Sequence, residues 1–131
     1  MFEKIINRNC LITGATGGIG KKLVELLLQN NCNVFLTAKN NSKLKNLAKS
    51  LDHYDSQIFY YAADLSSVSS TKSLIKKVRK EFKSVDILIN CAGIFKIKSI
   101  SSSSLVDYDL SMNINLKAPF ILSKEFSKDM I

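Results

Sequence analysis

Long apolar runs are missing from this chain. None approaches the roughly 20 residues that a bilayer-spanning helix requires, and the start, MFEKIINRNCLITG, has no apolar core followed by a small-residue cleavage site. No membrane partner and no secretory leader are expected, which leaves the cytoplasm as the default location. Cysteine is scarce: Cys10, Cys32 and Cys91 are three in number, with no C-x-x-C spacing. An odd count without that spacing excludes a disulfide framework and a zinc site. The three are read as small, buried, reduced thiols, and no metal is expected. Histidine occurs once, at His53 on a polar stretch, and is given no role.

Acid is scarce too. Asp and Glu number 11 against 19 Lys and Arg, for a formal net charge of +8. Such a balance raises the question of nucleic acid. Nearly all the cations are lysine, however, without the planar fork with which arginine reads phosphates and base edges. They are scattered in runs no longer than two. The abundance of Lys, Asn and Ile together points to an AT-rich coding sequence, so nucleic acid is not expected as a partner.

What is present is enough for one core: 131 residues, 46% of them hydrophobic and 23% charged. NCLIT (9–13), VFLTA (34–38) and IFYYA (58–62) read as short buried strands, and VDILINCAG (85–93) as a fourth strand with its exit loop. Between them, apolar residues recur at helical spacing. Ile19, Leu23, Leu26 and Leu27 are read as one helix face, ended by Asn30 and Asn31. Leu44, Leu47, Ala48 and Leu51 form the next, with Asn41 and Ser42 as candidate N-caps. Leu74, Ile75, Val78 and Phe82 mark a third helix, entered through the serine-rich stretch 66–70. Residues 94–104 read as a loop. Residues 105–116 and 118–130 read as helices, with Pro119 in the first turn of the second. Strands alternating with amphipathic helices predict an α/β, Rossmann-type, doubly wound parallel sheet.

The stretch ITGATGGIGKK, 12–22, predicts a phosphate-holding turn, since it leads from a strand into a helix. A nucleoside-triphosphate loop, G-x-x-x-x-G-K-[ST], fails at two positions: Ala15 stands at the first glycine and Lys22 at the hydroxyl. The dinucleotide fingerprint G-x-G-x-x-G also fails as written. The spacing present is Gly14-x-x-x-Gly18-x-Gly20, and its logic is intact. Gly14 allows a tight exit from the strand, Gly18 lets backbone approach a pyrophosphate, and Gly20 permits close helix–strand packing.

Thr13 to Gly20, T-G-x-x-x-G-I-G, resembles the cofactor loop of the short-chain dehydrogenase/reductase family. Three further motifs stand in the family's order. Asp64-Leu65 resembles its Asp-Leu/Val pair, which implies a carboxylate accepting from the adenine amino group; capping of the next helix is an alternative role. Asn90-Cys91-Ala92-Gly93 resembles N-N-A-G, with Cys91 replacing the second Asn. The resemblance implies that Asn90 ties neighbouring strands and that the Ala92-Gly93 backbone lies along the cofactor's ribose. Asn115-Leu116-Lys117-Ala118 resembles N-[LV]-x-[GA]. It implies that Asn115, rather than nearby Asn113, is the catalytic Asn, holding a water of a proton relay and breaking the local helix bonding. The implied cofactor-binding residues are Gly14, Ala15, Thr16, Gly17, Gly18, Ile19, Gly20, Lys39, Asp64, Leu65, Asn90, Ala92 and Gly93.

The second strand ends Thr37-Ala38-Lys39-Asn40, without the acid that accepts from the ribose hydroxyls of NAD. Lys39 can meet a 2′-phosphate as a point charge. NADP(H) is therefore favoured over NAD(H), although Lys39 also fits a solvated lysine. The family's Tyr-x-x-x-Lys is not found: four places after Tyr54, Tyr60, Tyr61 and Tyr108 stand Ile58, Asp64, Leu65 and Met112. The catalytic Ser is missing as well, since serines 101–104 precede Asn115. The chain is thus read as the N-terminal, cofactor-binding half (1–131) of an oxidoreductase domain acting on a carbonyl or alcohol, a homo-oligomer when whole, with strand order 3-2-1-4. The alternatives are a non-catalytic dinucleotide-binding module ending at Ile131 and a basic nucleic-acid-binding protein.

Overall fold

Side chains alternate between the two faces of a strand, and each strand here buries apolar residues both ways. In β1 (Asn9–Thr13), Cys10 and Ile12 face one layer and Leu11 the other; in β2 (Asn33–Ala38), Val34 and Leu36 face the first and Phe35 the second. Such strands need cover on both sides, and helices supply it. The computed structural model describes residues 5–131; residues 1–4, the start of the segment searched for a leader, lie outside the described residues.

One layer holds α1 (Gly18–Gln29) and α2 (Asn41–Ser50), whose Val24, Leu27, Leu28 and Leu44, with Leu51 just after α2, pack with Cys10, Ile12, Val34 and Leu36. The other holds α3 (Val68–Glu81) and α5 (Ala118–Met130), whose Leu74, Val78, Leu122 and Phe126 pack with Leu11 and Phe35. With β3 (Ile58–Ala62) and β4 (Ile87–Asn90) the sheet is parallel throughout, in the order β3-β2-β1-β4. This is the expected doubly wound layout.

The buried face of α1 is only partly the one expected. Leu27 is buried and Leu23 packs against the core, but Ile19 is 73% exposed and Leu26 45%, and Gly20, Val24 and Leu28 face the sheet in their place. The reading failed because apolar residues nearly encircle this helix, so their spacing leaves its rotation open. The cap of α2 is Asn40, whose side chain accepts from the Lys43 amide at 2.9 Å, and not Asn41 or Ser42. The end of α1 is as expected: Asn30 caps it and Asn31 takes a positive φ of 58°.

The loop after β4 contains a single 3-10 turn at Ile100–Ser102. Helix α4 (Leu105–Met112) then starts at Ser104 with a reciprocal capping box to Asp107. No break separates α4 from α5. A π-helical turn, Asn113–Lys117, joins them, and Pro119 sits in the first turn of α5, where its missing N–H costs little. Arg79 of α3 fastens α5 by ion pairs to Asp129 (2.6 Å) and Glu125 (3.0 Å), while Asp129 also accepts from the Val85 amide at 2.8 Å. Among the described residues no helix is long and apolar enough to cross a membrane.

Candidate functional site

Parallel strands place all their C-terminal ends on one edge of the sheet, and there the chain leaves β1 toward one side and β4 toward the other. A cleft of about 300 Å³ opens at that edge. The turn after β1 contributes Gly14, Thr16 and Gly17, β2 ends in Ala38 and Lys39, β3 leads to Ala63, Asp64 and Leu65, and the exit of β4 gives Cys91 to Ile94. Ile114 of the π turn completes the lining. Among the described residues no group of three or more His, Cys, Asp or Glu is placed to hold a metal ion.

Three glycines of this stretch differ in what surrounds them. Gly14 has φ +64°, and a Cβ there would stand 2.8 Å from the Ala92 backbone. A Cβ on Gly20 would come 2.0 Å from the Gly14 carbonyl oxygen, so the first turn of α1 rests directly on the loop. A Cβ on Gly18 would meet nothing within 4 Å. Packing explains Gly14 and Gly20; it does not explain Gly18, whose open side is free for a ligand.

The helix start supplies a second observation. Asn40, Ser67 and Ser104 each cap their helices with a side chain, but α1 starts at Gly17 with no side-chain cap and no acid in its first turn. Its leading amides keep their donor capacity beside the cleft, where the helix dipole favours an anion. The loop itself is pinned: the Ala15 amide donates to the Thr37 carbonyl at 3.1 Å, and the Ala92 amide donates to Thr13 Oγ1 at 3.0 Å. These bonds join the glycine turn, β2 and the exit of β4 into one frame.

On the opposite rim, Asp64 is fixed by Ser66, whose amide and hydroxyl donate to Oδ1 at 3.0 and 2.6 Å. Those bonds, with a smaller contribution from the Lys39 charge, hold its carboxyl below the usual carboxylate range. Lys39 Nζ lies 3.6 Å from Asp64 Oδ2. Asp64 does not cap α3; Ser67 does, accepting from the Ser70 amide.

Asn115 sits in the π turn and spends both ends of its amide on one residue. Its Oδ1 accepts from the Ile94 amide and its Nδ2 donates to the Ile94 carbonyl, each at 2.8 Å. This clamp fixes the exit of β4 against the α4–α5 junction. A Cβ on Gly93 would stand 3.4 Å from the same Oδ1. The local break in α-helical bonding expected at Asn115 is the π turn.

Of the residues singled out from sequence, Gly14, Thr16, Gly17, Lys39, Asp64, Leu65, Ala92 and Gly93 line the cleft. Ala15 and Gly20 are buried behind it, and Gly18, Ile19, Asn90 and Asn115 lie outside its lining. Asn90 does not reach a neighbouring strand with its side chain; its Nδ2 approaches Ser123 Oγ of α5 at 3.5 Å. Cys91 corrects a further expectation. It is half-buried in the cleft wall, whereas Cys10 and Cys32 are fully buried. The small apolar lining at Ala38 and Ala63 was missed, as were Ile94 and Ile114. Their signal was position alone, at the ends of β2 and β3 and beside motif residues.

Comparison with known proteins agrees with this geometry. The family described as short chain dehydrogenase matches residues 8–131. Nodulation protein G of Rhizobium sp. (strain N33) is 34% identical over 131 residues, which cover 100% of this chain and 52% of that protein. The 3-oxoacyl acyl-carrier-protein reductase FabG of Rickettsia felis is 35% identical over 128 residues, covering 97% of this chain and 50% of its own length. The chain thus spans about half the length of the curated relatives it matches. Among solved structures, a metagenomic short-chain oxidoreductase in complex with NADP superposes with a TM-score of 0.89 at 25% identity, over 98% of this chain and 58% of that one.

Proposed function

The chain belongs to the short-chain dehydrogenase family, and from that premise we propose that it is the cofactor-binding portion of an NAD(P)-dependent oxidoreductase acting on a carbonyl or alcohol. The single observation that carries the reading is the uncapped start of α1 with Gly18 open beside it, facing a cleft rimmed by Lys39 and Asp64. In this reading the amides of Gly18, Ile19 and Gly20 receive the pyrophosphate. Asp64 accepts from the adenine amino group, and the Ala92-Gly93 backbone supports the ribose. The bound dinucleotide supplies or accepts hydride. Asn115 acts by position: through Ile94 it fixes the wall along which the cofactor lies.

NADP(H) is the favoured cofactor. No acid stands at the end of β2 to repel a 2′-phosphate, and Lys39 offers a charge there. The NADP found in the metagenomic relative is consistent with this choice. The substrate class extends to 3-oxoacyl thioesters through the likeness to the Rickettsia reductase. The whole protein is expected to be a cytoplasmic homo-oligomer with no nucleic-acid or membrane partner.

These 131 residues contain no Tyr-x-x-x-Lys. A proton donor tuned by a neighbouring lysine is therefore missing from them. The expected outcome is binding without turnover: weak, saturable NADPH binding by fluorescence titration, and no NADPH oxidation with added carbonyl substrates. Turnover by the purified chain contradicts the assignment of roles. A non-catalytic dinucleotide module predicts the same binding. The two readings part on whether a longer product of the same gene carries the missing Tyr and Lys.

A further inference from the structure

Lys39 and Asp64 are the only charged side chains among the residues lining the cleft, and they face each other across its rim at 3.6 Å. They follow adjacent strands, where Ala38 of β2 pairs with Ala62 of β3. Their freedoms differ. Asp64 is held by two hydrogen bonds from Ser66, and its own amide donates to Ser70 Oγ at 2.9 Å. The Lys39 side chain is 80% exposed, and its ion pair among the described residues is with Asp64. A carboxylate fixed by Ser66 thus holds an exposed ammonium at the end of β2, where the dinucleotide reading puts the 2′-position of the cofactor.

We propose that Asp64 is a selectivity-determining residue whose carboxylate competes with the cofactor's 2′-phosphate for the Lys39 ammonium, holding down the preference for NADPH over NADH. The inference rests on the dinucleotide reading above. Lys39 can turn to a phosphate only by giving up its carboxylate, so part of the phosphate's attraction is spent on the exchange. NADH carries no 2′-phosphate and does not require the exchange. The adenine contact is common to both cofactors. A change at Asp64 therefore shifts both affinities through adenine, while the ratio of the two isolates the competition.

The test is a titration of the 131-residue chain with NADPH and with NADH, followed by amide NMR at low ionic strength, a readout suited to weak binding. Four proteins are compared: unchanged, Asp64→Asn, Lys39→Met and the double variant, each with its amide spectrum as the check on folding. Exposed ion pairs of this kind set the scale. Asp64→Asn is expected to raise the NADPH:NADH affinity ratio by roughly two- to fivefold. Lys39→Met is expected to lower it, and Asp64→Asn on the Lys39→Met background to leave it unchanged. The gain is also expected to shrink at high salt. An unchanged or lowered ratio in Asp64→Asn, with both cofactors still binding, overturns the inference and leaves the dinucleotide site standing. Binding of neither cofactor to the unchanged chain overturns both.

Discussion

Gly18 and Gly20 stand two residues apart in the same helix turn, yet their surroundings assign them opposite fates. A methyl group at Gly20 would collide with the Gly14 carbonyl oxygen at 2.0 Å, which is backbone and cannot swing away. Gly20→Ala is expected to cost about 1–3 kcal/mol, read as a lowered Tm. At Gly18 the methyl group meets open space, and alanine restricts the unfolded chain. Gly18→Ala is therefore expected to hold or raise the Tm while weakening NADPH binding. Equal destabilisation by both would remove the argument that Gly18 is kept open for a ligand. Cys91 offers a parallel check. Burial pushes the Cys10 thiol up to about 12 and also raises Cys32, so neither should react. Cys91, half-exposed in the cleft, is expected to be alkylated first, and NADPH is expected to slow it.

Between elements, the Arg79 clamp is the clearest long-range tie. Its guanidinium reaches Glu125 and Asp129 from α3 and lies 4.7 Å from the centre of the Phe126 ring. The hydrogen bond from Arg79 holds the Asp129 carboxyl below its usual range, helped by the Val85 amide; Glu125 is lowered by Arg79 as well. Carboxyls lowered by folding stabilise the folded chain fully above their unfolded values of about 4, and the contribution fades as the pH falls through the lower folded values. Asp129→Asn should accordingly be less stable than the unchanged chain at neutral pH, with the gap closing in acid. A gap independent of pH, in denaturant melts from neutral pH to pH 2, would speak against the clamp.

The same scale shows what sequence can and cannot carry. β1 and β3 were legible to the residue because short apolar runs end at Gly14 and Asp64. The rotation of α1 was not, because Ile19 and Leu26 are as apolar as the residues that face the sheet. The cleft motifs were legible through chemistry that local spacing preserves. The Asn115 clamp on Ile94 was not, since it joins positions that meet only when the π turn has formed. Nor was the Lys39–Asp64 pair, which depends on the parallel register of β2 and β3.

The molecule as a whole has an uneven surface. Phe95, Ile97, Ile100, Leu105, Val106 and Phe120 are exposed, all of them on the segments that follow β4. β4 is also an edge strand, paired on one side to β1. Apolar surface of this extent beside an open strand edge favours association. The chain is expected to bind a hydrophobic dye such as ANS and to self-associate as its concentration rises, measured by sedimentation; Leu105→Ser with Phe120→Ser should reduce both. The cleft edge, by contrast, is polar-rimmed and built from the ends of β1, β2, β3 and β4.

Whether this edge receives a dinucleotide is answered by mapping amide shifts on adding NADPH. Saturable shifts are expected, concentrated at Gly17, Gly18, Ile19, Lys39, Asp64, Ala92 and Gly93. No shifts at millimolar NADPH, or shifts confined to the lysines of α3, would contradict dinucleotide binding there.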